Sequence, residues 1–411
     1  MHILMLSDVY FPRVNGVSTS MQTFCRELVR LGHSVTVVAP DYGIADEAPE
    51  FEIIRLPSRQ IFFDPEDRLI RKSAVRAIVA ELARRAWDVV HIHTPFRAHE
   101  IGVALSRRTG RPTVESYHTY FEQYVANYLP WLPSAPMRFF VRLFSRRLCA
   151  GVDHLIVPSE EMANVLRGYG IETDSTVVPT GIRLEEFAGG DAAKFRAAHG
   201  LGTTQPMLLT VSRIALEKNI DFLLDVAARV KREFDDFVFV IAGEGPDAPR
   251  LVRRAESLGL SAHVRFLGYL DRRTTLLDCY RAADVFVFAS NTETQGLVLI
   301  EAMACGAPIV STAVMGTATV LRGARSALIS EENVDEFAAR IGRLLRSPAE
   351  RARLAQAGPV DAEKWSARAL MRGIVALYEQ LARGEAPNGV QRAGGVPRTR
   401  GPVVAEASDN P

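Results

Sequence analysis

Short apolar runs alternate along the chain with longer segments in which apolar residues recur every three or four positions. The first run, His2–Leu6, predicts a strand. A loop holding Asn15 and Gly16 follows, and the spacing predicts a helix from about Ser18 to Leu31, stopped by Gly32. Residues 34–39, 88–93, 113–117 and 154–158 read as further strands. The pattern restarts after the loop 179–190, with strands predicted at 207–212, 237–242, 264–267, 285–289 and 308–311. Helices are predicted at 220–234 and 246–258. Strand–helix alternation implies parallel strands joined by right-handed crossovers, so the expected fold class is α/β, with two doubly wound halves in tandem. The boundary is expected near residues 180–203, where glycine and charge interrupt the periodicity. From residue 384 to 411 the chain turns to Gly, Pro, Arg and Ala without periodicity, a tail expected to be disordered.

Composition narrows the class. With 411 residues and 47% apolar positions the chain can bury more than one core. Its 49 Lys and Arg against 48 Asp and Glu give no electrostatic case for nucleic acid as a partner. No apolar run approaches the ~18 residues that span a bilayer, and the N-terminus lacks a basic region and a cleavage site. Cys25, Cys149, Cys279 and Cys305 stand far apart without metal-binding spacing, as expected of reduced, buried thiols. The expectation is a soluble, cytoplasmic protein.

The densest chemical signal is the stretch SNTETQGLVLIEAMA at 290–304. A strand ends in a polar loop and a helix is expected to begin near Gln295. Glu293 then sits at the helix mouth and Glu301 about two turns inside. Backbone amides of Gln295, Gly296, Leu297 and Val298, following Thr294, would point out of the helix start, which suits a phosphate. Gly296 lets a ligand approach the backbone. A capped surface helix with two solvated glutamates is the plainer alternative. Context favours the first: Ser212, Arg213 and Lys218 follow the first strand of the second half, and strand ends of an open parallel sheet share one edge. Two cations beside a helix N-terminus form a diphosphate clamp, whereas a surface pair with Glu217 would explain either cation singly.

Arg213, Lys218 and the Glu293-x7-Glu301 pattern together resemble the retaining glycosyltransferases of family 4, which have the two-Rossmann GT-B fold. The likeness covers roughly residues 1–382. It includes Asn15–Gly16–Val17, His118, Gly243–Glu244–Gly245 and the run FLGYL around Tyr269 and Leu270. The resemblance implies two Rossmann-like domains facing across a cleft: 1–190 for the acceptor and 191–363 for a nucleotide-sugar donor. The segment 364–383, which contains Trp365, would return to the first domain. It implies that Arg213 and Lys218 hold the donor diphosphate, Glu293 contacts the donor sugar and Glu301 the ribose hydroxyls. Tyr269 and Leu270 would line the base, and His118 would lie beside the transferring sugar. No metal or other cofactor is expected. Gly16 and Val17, with Asp8, are expected at the same cleft.

Two departures stand out. Asn15–Gly16 replaces a Gly–Gly pair common in the family, and TETQG replaces an E-x-F/Y-G run. TETQGL with HTYFE at 118–122 is similar to the bacterial diacylglycerol glucosyltransferases, which use UDP-glucose. A GDP-mannose donor with a lipid or glycan acceptor remains open, as do a GT-B phosphorylase and a non-catalytic nucleotide-sugar-binding protein. Gly243-x-Gly245-x-x-Ala248 also fits a dinucleotide fingerprint, but the strand after it ends in Gly268–Tyr269 without the required acid.

No acidic residue lies between Glu122 and Asp153. Helical spacing over 137–148 is expected to place Arg138, Arg142 and Arg146 on one face and Phe140, Val141, Phe144 and Leu148 on the opposite one, after a loop with Tyr124, Tyr128 and Trp131. Basic and aromatic residues so arranged suit an anionic membrane surface and a lipid acceptor. An ordinary helix packed on the sheet with solvated arginines is the alternative.

Overall fold

The computed structural model describes residues 1–44, 50–61, 64–118, 134–385 and 387. The first half is built on strands β1 (His2–Leu6), β2 (Ser34–Pro40) and β3 (Glu52–Leu56), followed by the hairpin β4 (Ser58–Ile61) and β5 (Asp64–Ile70). Strands β6 (Val89–Ile92), β7 (Thr113–Ser116), β8 (His154–Val157) and β9 (Ser175–Val177) complete it. Its sheet runs β3-β2-β1-β6-β7-β8-β9, all parallel. The second half holds β10 (Met207–Val211), β11 (Val238–Ala242), β12 (Val264–Gly268), β13 (Val285–Phe288), β14 (Ile309–Ser311) and β15 (Ala327–Ile329). Their order is β12-β11-β10-β13-β14-β15, again parallel.

Both sheets reverse strand order beside their first strand, which opens a crevice at the carboxyl ends of the strands. Central strands such as β11 are buried along their whole length, because helices cover both faces and leave no side for polar residues. The elements that the periodicity predicts are present, and the edge strands β3, β9 and β15 and the β4–β5 hairpin are additions to it.

Two chain crossings join the halves. The amide of Ile182 donates to the Trp365 carbonyl at 2.9 Å, and the amide of Ala367 donates to the Ile182 carbonyl at 2.8 Å. Gly181 permits this contact, since a Cβ there would lie 2.3 Å from the Ala367 Cα. Beyond the crossing, helix Ala367–Ala382 buries Met371, Ile374, Leu377 and Tyr378 in the core of the first half. The predicted tail beyond 387 lies outside the described residues. The four cysteines are buried and unpaired, and burial pushes the Cys305 thiol up to about 12.

Candidate active site

The helix after β13 begins at Leu297, two residues later than the spacing suggests. Gly296 is its N-cap at φ +90°, a left-handed conformation that glycine adopts without strain. The amides of Leu297 and Val298 stand in the first turn, where no intrahelical carbonyl can accept from them. The loop before the helix is held from behind by a glycine that sequence reasoning missed. The Gly316 amide donates to the Glu293 carbonyl at 2.9 Å, and a Cβ on Gly316 would lie 2.1 Å from the Thr294 carbonyl oxygen.

Lys218 and Glu293 meet directly. The Lys218 ammonium donates to the Glu293 carboxylate across 75 residues, and both side chains are largely buried. The pairing with Glu217 that local spacing allows is not the one formed. Arg213 is half-buried in the same loop, which is tied to the β11 loop where Ile214 donates to the Glu244 carbonyl at 2.8 Å. Asn219 ends the loop in a left-handed turn, and its amide group donates to Glu332 at 2.7 Å. Among the described residues, buried oxygens of Ser212, Glu217, Asn291 and Thr312 have no hydrogen-bond partner. Such oxygens are rare in a finished core, and these sit at the strand ends where a polar ligand would complete them.

The glycines of the apparent dinucleotide fingerprint have a different task. A Cβ on Gly243 would lie 1.9 Å from the Ser212 carbonyl oxygen, and one on Gly245 would lie 2.1 Å from that of Ile214. They let the β11 loop pack on the loop that carries Arg213. Tyr269 is exposed with its amide donating to Glu244 at 3.3 Å, while Leu270 packs against the second-half core.

Glu301 is 1% exposed, and its carboxylate accepts from Arg272 and, at 2.9 Å, from the Tyr280 hydroxyl. Neither partner has a signal in the sequence. The Glu301 charge raises Arg272 above the ordinary guanidinium value, and burial holds the Tyr280 hydroxyl well above the usual range. Gln295 is also buried, and its side chain bridges the halves. It accepts from the Thr180 amide and donates to the Thr180 carbonyl, both at 2.7 Å. The Gln295 side chain is therefore spent on the interdomain junction and not on a ligand.

His118 follows β7 and faces this loop. Thr294 donates from its hydroxyl to the His118 carbonyl at 3.1 Å, across 176 residues. Behind His118 lies a cluster that the sequence reading left unassigned. His93 Nδ1 is 3.2 Å from His118 Nε2, and His93 Nε2 is 3.3 Å from Met5 Sδ. A thioether only accepts, so His93 carries its proton on Nε2 and accepts at Nδ1. His118 then carries its proton on Nε2 and keeps a lone pair on Nδ1. His91 lies against His93 with ring centroids 4.0 Å apart and planes tilted by 35°, and it bonds the Tyr378 hydroxyl at 2.6 Å, which links the cluster to the returning helix.

Burial lowers His118 to about 4 and His91 to about 3, and holds His93 well below its ordinary value. Unfolded, these groups titrate near 6.5. Below that pH the unfolded chain takes up protons that the folded one refuses, so stability is lost as pH falls from 6.5 towards 4. Asp8 and Glu115, raised by burial, act in the opposite sense. The melting temperature is expected to fall across this window, and to fall less in His118→Gln. An equal fall in the variant would acquit the histidine.

The first-strand loop differs from expectation. Gly16 and Val17 open helix Gly16–Arg30, and Asn15 caps it by accepting from the Ser18 amide at 2.9 Å. The cap explains Asn15 where glycine is common. Asp8 does not present its carboxylate to the cleft. It accepts from the Thr94 hydroxyl at 2.7 Å and from the Arg97 amide at 3.0 Å, which caps helix Arg97–Thr109.

The basic segment also needs correction. On helix Ser134–Cys149 the packed positions among the described side chains are Met137, Val141, Ser145, Leu148 and Cys149. Phe140 and Phe144 are not on that face. With Phe139 and Leu143 they stand 44–66% exposed, and Arg138, Arg142 and Arg146 are exposed as well. Among the described side chains the buried positions form a narrow seam that leaves Phe139, Phe140, Leu143 and Phe144 uncovered. Arg142 lies over the Tyr169 ring at 5.3 Å. Tyr124, Tyr128 and Trp131 lie outside the described residues.

Two parallel-sheet domains that bring their strand ends to one cleft, with cations at a helix start on one side and a histidine on the other, define a GT-B glycosyltransferase. Sucrose-phosphate synthase from Thermosynechococcus elongatus shares the fold, with a TM-score of 0.77 at 23% identity over 93% of this chain and all of that one. The family description Glycosyltransferase Family 4 matches residues 14–186, and Glycosyl transferases group 1 matches residues 191–361. Alpha-monoglucosyldiacylglycerol synthase from Streptococcus pneumoniae is 32% identical over 76% of this chain and 71% of its own length. The protein of the same description from Acholeplasma laidlawii is 28% identical over 75% of this chain and 80% of its own. The chain belongs to the family 4 glycosyltransferases.

Proposed function

We propose that this enzyme transfers glucose from UDP-glucose to a diacylglycerol-type lipid with retention of anomeric configuration, working at an anionic membrane surface. The observation that carries the reading is the meeting of Lys218 and Glu293 beside the free first turn of helix Leu297–Ala304, under His118. Arg213, Lys218 and the amides of Leu297 and Val298 take the negative charge that grows on the departing diphosphate, without a metal ion. Glu293 accepts from sugar hydroxyls. Glu301 keeps lone pairs beyond those given to Arg272 and Tyr280 and holds the ribose with them. The departing phosphate takes the acceptor proton on the same sugar face. Glucose and diacylglycerol are favoured by the two relatives, both described as alpha-monoglucosyldiacylglycerol synthases.

The test offers UDP-glucose and GDP-mannose in parallel to the enzyme with diacylglycerol vesicles, followed by mass spectrometry and anomeric NMR of the product. Glucolipid with the α configuration is expected. Transfer from GDP-mannose alone, an inverted product, or nucleotide binding without transfer would each refute the reading.

Membrane docking rests on the exposed ridge of Phe139, Phe140, Leu143 and Phe144 beside its arginines, and among the described residues no helix is long and apolar enough to cross a bilayer. A surface arginine contributes about 1 kcal/mol at an anionic bilayer. Reversal of Arg138, Arg142 and Arg146 to glutamate should therefore weaken sedimentation with phosphatidylglycerol liposomes by about a hundredfold or more. Equal partitioning of the wild type and the triple variant would exclude this surface. Glu293→Gln should mainly reduce discrimination among donor sugars, read as the ratio of kcat/KM values.

A further inference from the structure

The loop that carries Glu293 touches the first half through two successive residues. Thr294 reaches the His118 carbonyl past β7, and Gln295 reaches Thr180, just past β9. The second contact is a matched pair: Gln295 Oε1 accepts from the Thr180 amide, and Nε2 donates to the Thr180 carbonyl, both at 2.7 Å. A backbone N–H only donates and a backbone C=O only accepts, so the side-chain amide has a single orientation with both ends engaged. Gln295 is 3% exposed, and a polar side chain is costly to bury unless its groups are met. An aromatic ring at this position, as in the E-x-F/Y-G run common in the family, makes no such pair.

Thr180 is itself tied to the first half. Its hydroxyl bonds the buried Ser20 hydroxyl at 2.9 Å, and Ser20 lies one turn past Gly16 on the same face of helix Gly16–Arg30. Thr180 also stands directly before the crossing, where Gly181 lies against Ala367 and Ile182 bonds Trp365. On its other side the Glu293 loop is held by its own half, through the Gly316 amide and the Glu293 carbonyl. The left-handed Gly296 follows Gln295 at once, so the turn into helix Leu297–Ala304 starts from the docked residue. The loop is thus fastened to both halves. A fully satisfied polar contact inside a packed junction selects one arrangement among those that apolar packing alone would allow.

We propose that Gln295 is a positioning residue for sugar transfer: its amide holds the Glu293 loop in register with the first half, so that the Lys218–Glu293 pair and His118 face the reacting sugar from fixed places across the cleft. The proposal rests on the roles given above to Glu293, Lys218 and His118, and is independent of which sugar is transferred and to which acceptor. Groups that converge on a reacting centre from two domains lose rate steeply when their register slips, by about 10²-fold for about 1 Å.

Gln295→Met keeps the length of the side chain and removes the pair. In the full chain with UDP-glucose and diacylglycerol vesicles it should lower kcat by about tenfold or more, while the Kd of UDP, held by groups of the second half, changes by less than about threefold. Gln295→Glu supplies a conservative rescue. Its neutral carboxyl can accept from the Thr180 amide and donate to the Thr180 carbonyl, whereas the ionised form only accepts, and burial raises such a carboxyl above its ordinary range. The kcat of Gln295→Glu is divided by that of the wild type at each pH, which cancels the ionisations of His118, Lys218 and Glu293 that both proteins share. This ratio should rise as pH falls from about 8 to about 6. Hydrogen exchange read by mass spectrometry tests the junction without substrate: peptides covering 175–183 and 289–297 should exchange about tenfold or more faster in Gln295→Met, and those of β11 at the wild-type rate. Wild-type turnover in Gln295→Met, a UDP Kd that rises as much as kcat falls, or a ratio that does not change with pH would overturn the proposal. A wild type that transfers no glucose refutes the donor reading alone. The exchange comparison then decides, and equal protection in the two proteins would overturn the proposal.

Discussion

Arg213→Ala and Lys218→Ala are each expected to lower kcat by about 10²-fold or more, the size of effect seen when one preorganised charge-stabilising group is removed. The charge that these cations meet grows as the sugar–phosphate bond breaks, so their loss falls on the chemical step and not mainly on KM. Lys218 needs a control, because its ammonium also neutralises Glu293. Lys218→Ala leaves that largely buried carboxylate without its partner, and part of the damage could come from there. The double variant Lys218→Ala/Glu293→Gln separates the two causes. If Lys218 acts on the leaving group, kcat stays low in the double variant. Recovery to near wild-type turnover, or near-normal turnover in both single variants, would remove the clamp from the mechanism.

Gly243→Ala is expected to destabilise the protein by about 3 kcal/mol or more, through backbone strain and overpacking together. Gly243 sits at φ +132°, and its missing Cβ would be placed 1.9 Å from the Ser212 carbonyl oxygen. Nothing flexible can yield there, because both sides of the contact are backbone. Its amide also donates to the Gly268 carbonyl at 2.8 Å, so a shift of Gly243 disturbs β12 as well as the loop that carries Arg213. Urea unfolding should show a lower midpoint with unchanged slope, and kcat should fall with it. Gly16→Ala is the contrasting control. A Cβ there meets nothing within 4 Å, and Gly16 already lies in a helix. That change should move stability by less than about 1 kcal/mol, towards the stable side if anything. Similar losses in the two variants would mean that close packing at Gly243 does not matter.

Much of the scaffold was legible because central strands such as β11 and helices such as Gly16–Arg30 carry their burial pattern within a few residues. Edge elements were not. The strand Ser175–Val177 is three half-buried residues, and Asp64–Ile70 is a charged segment that becomes a strand by pairing with Ser58–Ile61. Such segments have no burial of their own and become strands only when a neighbour supplies hydrogen bonds. The exposure of Phe140 and Phe144 on helix Ser134–Cys149 was hidden for a related reason. A helical wheel shows which residues are apolar but not how wide a stripe the core can cover, and Phe140 and Phe144 fall outside it.

The periodicity and the residue types by themselves determined that this is a tandem parallel α/β protein with cations at one strand end and carboxylates at another. The tertiary structure alone decided who meets whom: Lys218 with Glu293, Thr294 with the His118 carbonyl, Tyr378 with His91, Arg272 with Glu301. Helix and strand patterns arise from neighbours within a turn or a pleat. These contacts join residues up to 287 positions apart, and only the packing of two sheets and the return of the last helix bring them within reach.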